Sequence, residues 1–219
     1  MNILLMSNFS NPRYSSVWGF LLERGHLVDT TQDHRKLDLT KYDIGVAFYY
    51  RKMVSQADLD TIQYGVINNH PGKLPEVRGA FTNVWPVMDS RIPCGVTIQL
   101  MDAGLDTGPI IAENTVEVSP TDTGETLWYR LVEEQYHLFC RTWPRIEQEV
   151  PDITTYKQYG RPWTYKMADV IDDLDKWQNG GAILNYLRAR TFPPFDSAYV
   201  VRNGRKIGVR VQLEDLGPA

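Results

Sequence analysis

Short apolar runs alternate with segments of helical spacing through the first seventy residues. Continuous apolar character predicts a buried strand in each run. The helical segments end at favoured capping residues, with Ser55 as an N-cap and Gly25 and Gly65 as stops. The predicted strands are NILLM (2–6), HLVDTT (26–31), DIGVAFYY (43–50) and VINN (66–69), and the predicted helices are SSVWGFLLERG (15–25) and SQADLDTIQYG (55–65). This repetition predicts a Rossmann-like α/β fold, with a mostly parallel sheet and helices on both faces.

From Pro151 onward the sequence becomes rich in polar and aromatic residues and shows no clear hydrophobic periodicity. We therefore divide the chain into a catalytic domain, residues 1–150, and a C-terminal extension, residues 151–219. The dipeptide Asn203-Gly204 between β-forming residues predicts a hairpin in that extension. The other predicted elements are a helix at 81–88, a strand at 94–101, a long helix at 123–150 and a helix at 169–192 in two pieces divided at Gly180 and Gly181.

Composition and charge exclude several classes of protein. The chain has 219 residues, 42% of them hydrophobic, and a net charge of −4, which argues against the basic surface that binds nucleic acid. It leaves room for a small anionic substrate held by two or three cations. No apolar run approaches the roughly 20 residues that span a bilayer, and the N-terminus lacks the features of a signal peptide. Two cysteines without a CxxC pattern fit a reducing compartment. We predict a cytoplasmic protein with no membrane partner.

Two separated motifs carry candidate chemistry. INNHPGKLPEVRG (67–79) places Asn68 and His70 at the end of a predicted strand, where open α/β sheets build their sites. GVTIQLMDAGLDTGPII (95–111) places Asp102 and Asp106 in a loop after another strand. Taken singly, each motif is more typical of a turn or a capping residue than of a catalytic site. No GxGxxG follows the first strand, so a dinucleotide cofactor is not supported.

Together, the two motifs resemble the N10-formyltetrahydrofolate-dependent formyltransferases, a family that includes glycinamide ribonucleotide, methionyl-tRNA and sugar-nucleotide formyltransferases. The resemblance covers residues 40–115 closely and the preceding strands loosely. It implies a catalytic triad of Asn68, His70 and Asp106, with N10-formyltetrahydrofolate as cosubstrate and no metal. One departure is Gly72, where many members carry serine.

The triad has side chains that formyl transfer requires. An amine attacks the formyl carbon, and the amide of Asn68 can donate a hydrogen bond to the oxyanion that develops. His70 can take the proton from the attacking nitrogen or pass one to the leaving nitrogen. Asp106 would orient the imidazole.

The resemblance also implies binding residues around the triad. The folate pocket is expected to be lined by the segment after the third strand and by the loop 101–106, namely Tyr50, Arg51, Lys52, Met53 and Asp102. The acceptor is expected to contact Asn8, Lys73, Arg78, Trp163 and Tyr165, with Phe192 and Phe195 as further aromatic candidates. The alternative role of Arg78 is to brace its own loop, and each aromatic residue taken singly is more typical of core packing.

Three branches of the family compete for the acceptor. The transfer RNA enzymes add a substantial C-terminal nucleic-acid-binding domain, whereas about seventy residues follow the core here. The glycinamide ribonucleotide enzymes hold phosphate on a glycine-rich first loop, whereas SNFSNPRYS (7–15) has no glycine. The best fit is an N-formyltransferase for a dTDP-linked amino sugar, with 4-amino-4,6-dideoxyglucose favoured over a 3-amino isomer.

Other functions and the assembly remain open at this point. Hydrolysis of formyltetrahydrofolate and folate binding without turnover are the alternatives to transfer. An isolated hairpin is marginal in water, so the C-terminal extension is expected to pack on the core and contribute to a homodimer. The alternative is that the hairpin only caps the core sheet.

Overall fold

The computed structural model of the chain describes residues 1–160, 162 and 180–215. A six-stranded sheet has the order β2-β1-β3-β4-β5-β6. Its strands are β1 Asn2–Met6, β2 Leu27–Thr31, β3 Ile44–Phe48, β4 Val66–His70, β5 Gly95–Leu100 and β6 Ile110–Thr115. The first four pair in parallel, and β5 and β6 are antiparallel. The predicted mostly parallel α/β fold is confirmed.

Helices cover both faces of this sheet. They are α1 Tyr14–Glu23, α2 Gln56–Thr61, α3 Trp85–Met88, α4 Gly124–Glu149 and α5 Gly180–Ala189, with 3-10 turns at His34–Lys36 and Leu39–Lys41. Because strand side chains alternate between faces, Ile3 and Leu5 pack toward α1 and α4, while Leu4 and Met6 pack toward α2. In the part of the chain that the structure describes, no helix is long and apolar enough to cross a lipid bilayer.

The helix ends follow local sequence signals. The Ser55 hydroxyl accepts a hydrogen bond from the Asp58 backbone N–H at 3.2 Å and so caps α2, as predicted. Gly25 and Gly65 have φ of +82° and +71°, which glycine adopts without a steric penalty. Gly25 lies just after the end of α1, as predicted, whereas α2 ends at Thr61, four residues before the predicted stop at Gly65.

Other predicted boundaries were also wrong. The helix expected at 81–88 covers only α3, because Phe81 has φ +63° and cannot belong to a right-handed helix. Strand β4 continues through His70, because His70 pairs with Thr97 of the antiparallel strand β5. The last helix was expected to reach Phe192 but ends at Ala189. Its predicted first piece lies almost wholly outside the described residues.

The C-terminal hairpin forms where the sequence predicted it. Strands β7 (Ala198–Arg202) and β8 (Arg205–Val209) pair antiparallel and make a separate two-stranded sheet. The turn residues Asn203 and Gly204 both have left-handed backbones, with φ of +51° and +73°. Two such residues in succession are the signature of a type I′ turn.

A reciprocal pair of buried amides fastens β4 to α4. The Gln135 side chain donates to the backbone oxygen of Asn69 at 2.7 Å, and the Asn69 side chain donates to the backbone oxygen of Gln135 at 3.1 Å. Gln135 is fully buried. The contact fixes the helix over the strand that also contains Asn68 and His70.

We expect Gln135→Ala to lower the free energy of unfolding by about 2 to 3 kcal/mol. The substitution leaves a buried backbone acceptor without its donor and opens a small cavity. Urea denaturation followed by circular dichroism measures the change. Gln148→Ala, at an exposed position of the same helix, is the control and should change stability by no more than about 0.5 kcal/mol. Equal losses in both variants would contradict a stabilising role for the amide pair.

Candidate active site

Strand β4 presents two of the predicted catalytic side chains to one face of the sheet. Asn68 and His70 are two residues apart and share that face, whereas Asn69 between them points toward α4. His70 is 4% exposed. Asn68 and His70 therefore belong to the candidate site, whereas Asn69 makes a structural contact with α4.

Asp106 meets these side chains from the loop between β5 and β6. Its Oδ1 accepts from Asn68 Nδ2 at 3.2 Å and from Gln99 Nε2 at 3.1 Å. Its Oδ2 accepts from the Gly79 backbone N–H at 2.8 Å. Three N–H donors from three segments thus hold the carboxylate in place. The predicted triad is thus brought together.

The imidazole of His70 has a defined orientation. Nε2 lies 2.7 Å from the backbone oxygen of Val77, and Nδ1 lies 3.6 Å from Asp106 Oδ2. A carbonyl oxygen can only accept, so Nε2 has the proton of this hydrogen bond. In the neutral ring, the lone pair is then on Nδ1, on the side of Asp106. Of the two ring nitrogens of His70, Nδ1 is therefore the one that can accept a proton.

Gly72 makes room for this arrangement. A Cβ atom at this position would lie 2.5 Å from His70 Nε2 and 2.5 Å from the Val77 oxygen. Neither atom can move without breaking the hydrogen bond between them. The glycine that departs from the expected serine is therefore required by the observed position of the imidazole.

In the segment expected to line a folate pocket, Tyr50 and Lys52 are held by contacts within the chain. The Tyr50 hydroxyl bonds to both the backbone N–H and the ring of His34, at 3.1 and 2.7 Å, and burial raises the pKa of Tyr50. Lys52 pairs with Asp33 at 3.0 Å, and hydrogen bonds from Arg35 and then Lys52 hold the pKa of Asp33 well below its usual value.

The other members of the predicted folate group are more open. Arg51 is exposed and stacks on the ring of Tyr49, with its guanidinium carbon 5.1 Å from the ring centroid. Met53 is 60% exposed. Asp102 accepts hydrogen bonds from Gly104 and Thr107 within its own loop. Met53 is thus an exposed apolar side chain, and Asp102 is held within the loop that leads to Asp106.

The residues expected to bind the acceptor have partners within the chain. Asn8 accepts from the backbone and hydroxyl of Ser10. Lys73 pairs with Glu113 at 2.7 Å. Arg78 donates to the amide oxygen of Gln158 at 2.6 Å. Trp163 and Tyr165 lie outside the described residues, and Phe192 packs with Phe195 and with Trp128.

Two glutamines and two backbone groups belong to the site and were missed. Gln99 and Gln158 lie beside Asp106, and the Val77 oxygen and Gly79 N–H fix the triad. The sequence signal available for Gln99 was a polar side chain within the mostly apolar run of β5, and the structure shows that it is buried. No sequence signal marked Gln158. Among the described residues, no group of three or more His, Cys, Asp or Glu side chains is arranged to hold a metal ion.

Two families match the chain in different regions. Residues 26–142, more than half of the chain, match the family described as Formyl transferase. Residues 164–215 match the N-formyltransferase dimerization C-terminal domain.

Individual relatives come from two branches. A methionyl-tRNA formyltransferase from Agathobacter rectalis is 32% identical over 167 residues, covering 76% of this chain and 53% of the relative. The chain thus spans about half the length of such relatives. A dTDP-4-amino-4,6-dideoxyglucose formyltransferase from Mycobacterium tuberculosis is 31% identical over 182 residues, covering 82% of this chain and 76% of the relative.

A solved structure is similar in both sequence and fold. It is a formyltransferase from Anoxybacillus kamchatkensis in complex with UDP-4,6-dideoxy-4-formamido-L-AltNAc and tetrahydrofolate. The two chains are 30% identical with a TM-score of 0.68, and the match covers 82% of this chain and 93% of that one. With these matches and the assembled motifs, the chain belongs to the formyltransferase family.

Proposed function

We propose that this protein transfers the formyl group of N10-formyltetrahydrofolate to the amine of a dTDP-linked amino sugar. The favoured acceptor is dTDP-4-amino-4,6-dideoxyglucose, and a 3-amino isomer is the alternative. The observation that carries the proposal is the convergence of Asn68 and His70 on Asp106 in a chain of the formyltransferase family. Two free cysteines fit action in the reducing cytoplasm.

Each member of the triad has one task in the proposed reaction. The folate supplies a formyl carbon that the acceptor amine attacks. Asn68 donates a side-chain N–H to the oxygen on which negative charge develops. His70 takes a proton from the attacking nitrogen at Nδ1 and returns it to the leaving nitrogen. The Asp106 carboxylate stabilises the imidazolium that forms between these two events.

The acceptor is inferred from relatives and from the surface near the strand ends. The mycobacterial relative that acts on a dTDP-linked 4-amino sugar is covered over 76% of its length, whereas the methionyl-tRNA enzyme is covered over only 53%. A planar base has a partner in Trp128, whose ring centroid lies 5.5 Å from that of Phe192 and 6.1 Å from that of Tyr49. Stacking on such a ring contributes about 1 to 3 kcal/mol.

The contacts of two cations revise their proposed roles. The charge of Lys73 is balanced by Glu113, so its proposed contact with the acceptor would require this ion pair to open. Arg78 binds Gln158 and is better explained as a brace for its loop.

Formylation of methionyl-tRNA remains the second candidate function, because the methionyl-tRNA formyltransferases match at the same level of identity.

The acceptor is identified by incubating the protein with N10-formyltetrahydrofolate and a panel of acceptors, followed by mass spectrometry. The panel contains dTDP- and UDP-linked 3- and 4-amino sugars, glycinamide ribonucleotide, methionyl-tRNA and water alone. We expect a mass gain of one formyl group on a dTDP-linked 4-amino sugar. Formyl transfer to methionyl-tRNA or glycinamide ribonucleotide alone would overturn the assignment, and turnover with water alone would indicate a hydrolase.

We expect His70→Asn and Asp106→Asn each to lower kcat about 100-fold or more, because proton transfer is lost or its partner is neutralised. Asn68→Ala should lower kcat about 100- to 1,000-fold, because it removes a donor to the oxyanion. Steady-state kinetics measure these losses, and circular dichroism checks the fold. His137→Asn and Asp152→Asn, both at exposed positions, are the controls and should retain wild-type kcat. Near-native turnover in any triad variant would remove its proposed role.

We also propose that residues 151–219 form an extension through which two copies associate. The matched dimerization domain covers residues 164–215. The hairpin exposes apolar side chains, with Val201 39% and Ile207 49% accessible. Burying such side chains against a second copy would stabilise both the hairpin and the pair.

We expect Ile207→Asp to shift the protein from dimer to monomer, because a carboxylate cannot be buried in an apolar interface without a partner. Size-exclusion chromatography with light scattering at about ten micromolar measures the mass. Leu27→Asp is the control, since Leu27 is 72% exposed on the edge strand β2 of the core sheet. A monomeric wild-type protein, or dimers of both variants, would contradict association through the hairpin.

A further inference from the structure

In the described part of the segment after α4, the side chain of Gln158 reaches the candidate active site. Tyr156 pairs with Ile110 of the edge strand β6 through two backbone hydrogen bonds of 2.8 and 2.9 Å. This bridge aligns the segment with the edge of the sheet. Two residues later, Gln158 is half-buried, whereas its neighbours Lys157 and Tyr159 are exposed. The glutamine alone turns inward.

The amide of Gln158 has one chemically consistent orientation. Oε1 accepts from Arg78 Nη2 at 2.6 Å and from Nε at 3.2 Å. Nε2 donates to the backbone oxygens of Asp106 and Gly108 at 3.0 and 2.8 Å. A guanidinium cannot accept and a carbonyl cannot donate, so exchanging the amide atoms would break all four contacts. Oxygen faces Arg78 and nitrogen faces the loop.

The loop that receives these hydrogen bonds has a strained backbone. Asp106 has φ +51°, a left-handed conformation that a residue with a Cβ atom retains only where its surroundings enforce it. The Gln158 amide holds the carbonyls of Asp106 and Gly108, on both sides of Thr107. The loop is also tightly packed at Gly108, where a Cβ atom would lie 1.8 Å from the Leu100 oxygen.

The other end of the same amide acts on the segment that orients His70. Arg78 lies between Val77, whose oxygen binds His70 Nε2, and Gly79, whose N–H binds Asp106 Oδ2. Gln158 thereby links the two segments on which the triad geometry depends. It is also near Gln99, whose Oε1 lies 3.3 Å from Gln158 Nε2 and whose own amide donates to Asp106.

We propose that Gln158 is a positioning residue, which holds the Asp106 backbone and, through Arg78, the segment that orients His70. The inference rests on the proposed role of the triad in formyl transfer. It makes the segment after α4 a part of the active site, although Gln158 itself does not contact the reacting atoms.

The first test is Gln158→Met, which keeps the length of the side chain and removes its polar atoms. Displacing a catalytic group by about 1 Å can cost up to about 100-fold in rate, so we expect kcat to fall about tenfold or more. The KM for N10-formyltetrahydrofolate should stay within about twofold of the wild-type value. Lys157→Met is the matched control and should retain wild-type kcat. A purely structural role would lower the melting temperature and leave kcat unchanged well below it, which would overturn the proposal.

Gln158→Glu separates the two ends of the amide. A carboxylate keeps an acceptor for Arg78 but places oxygen against the carbonyls of Asp106 and Gly108. The proposal expects a larger loss of kcat than in Gln158→Met, because the loop is then repelled as well as released. Wild-type kcat in this variant would show that only the contact with Arg78 matters, and would overturn positioning through Asp106.

Hydrogen exchange tests the inference independently of turnover. Mass spectrometry of Gln158→Met should show faster backbone exchange in residues 105–109 and 77–79 than in wild type, with no change in Lys157→Met. Unchanged exchange in both segments would overturn the proposed positioning. A wild-type protein that formylates no acceptor would contradict the proposed function instead, and the exchange result alone would then decide whether Gln158 holds the loop.

Discussion

The carboxylate of Asp106 is the point on which the candidate site depends. It accepts hydrogen bonds from Asn68, Gln99 and the Gly79 backbone, and it faces the ring of His70. These donors come from two strands and one loop, so the carboxylate fixes three segments relative to one another. A carboxylate so enclosed is costly to bury unless its donors are all present. The geometry of the site therefore depends on an ordered conformation of the loop that contains Asp106.

Because strand side chains alternate between the two faces of a sheet, neighbouring residues of β4 have different roles. Residues 68 and 70 face the site, and residue 69 faces α4, where it forms the buried amide pair with Gln135. Asn69 fixes one face of the strand to α4, and the candidate catalytic residues Asn68 and His70 lie on the opposite face. The antiparallel strand β5 continues the ladder as far as His70, which removes the freedom that a loop residue would have. This rigid support suits groups that must meet a reacting atom within a fraction of an ångström.

The surroundings of the triad separate the two proposed substrates. The loop 101–106 and the segment after β3 offer open backbone and exposed Met53 for the folate. Aromatic rings at Tyr49, Trp128 and Phe192 form a connected group that can stack a planar base. Of the cations expected to contact the acceptor, Lys73 pairs with Glu113 and Arg78 binds Gln158. We therefore propose that the base of the acceptor is recognised through stacking on these rings.

The sequence by itself determined most of the order of strands and helices, the cap at Ser55, the hairpin at Asn203-Gly204 and the three residues proposed as the triad. Each depends on local periodicity, on backbone preferences of single residues or on a motif of short span, and such information is written in neighbouring residues. Tertiary structure decided the tautomer of His70, the need for Gly72 and the place of Gln158 in the site. Those features arise from atoms that are distant in sequence: the Val77 oxygen fills the space beside Gly72, and the edge pairing of Tyr156 with Ile110 carries Gln158 to a loop about fifty residues earlier. No local sequence pattern predicts these contacts, because they form only once the sheet has folded and its edge strand can pair.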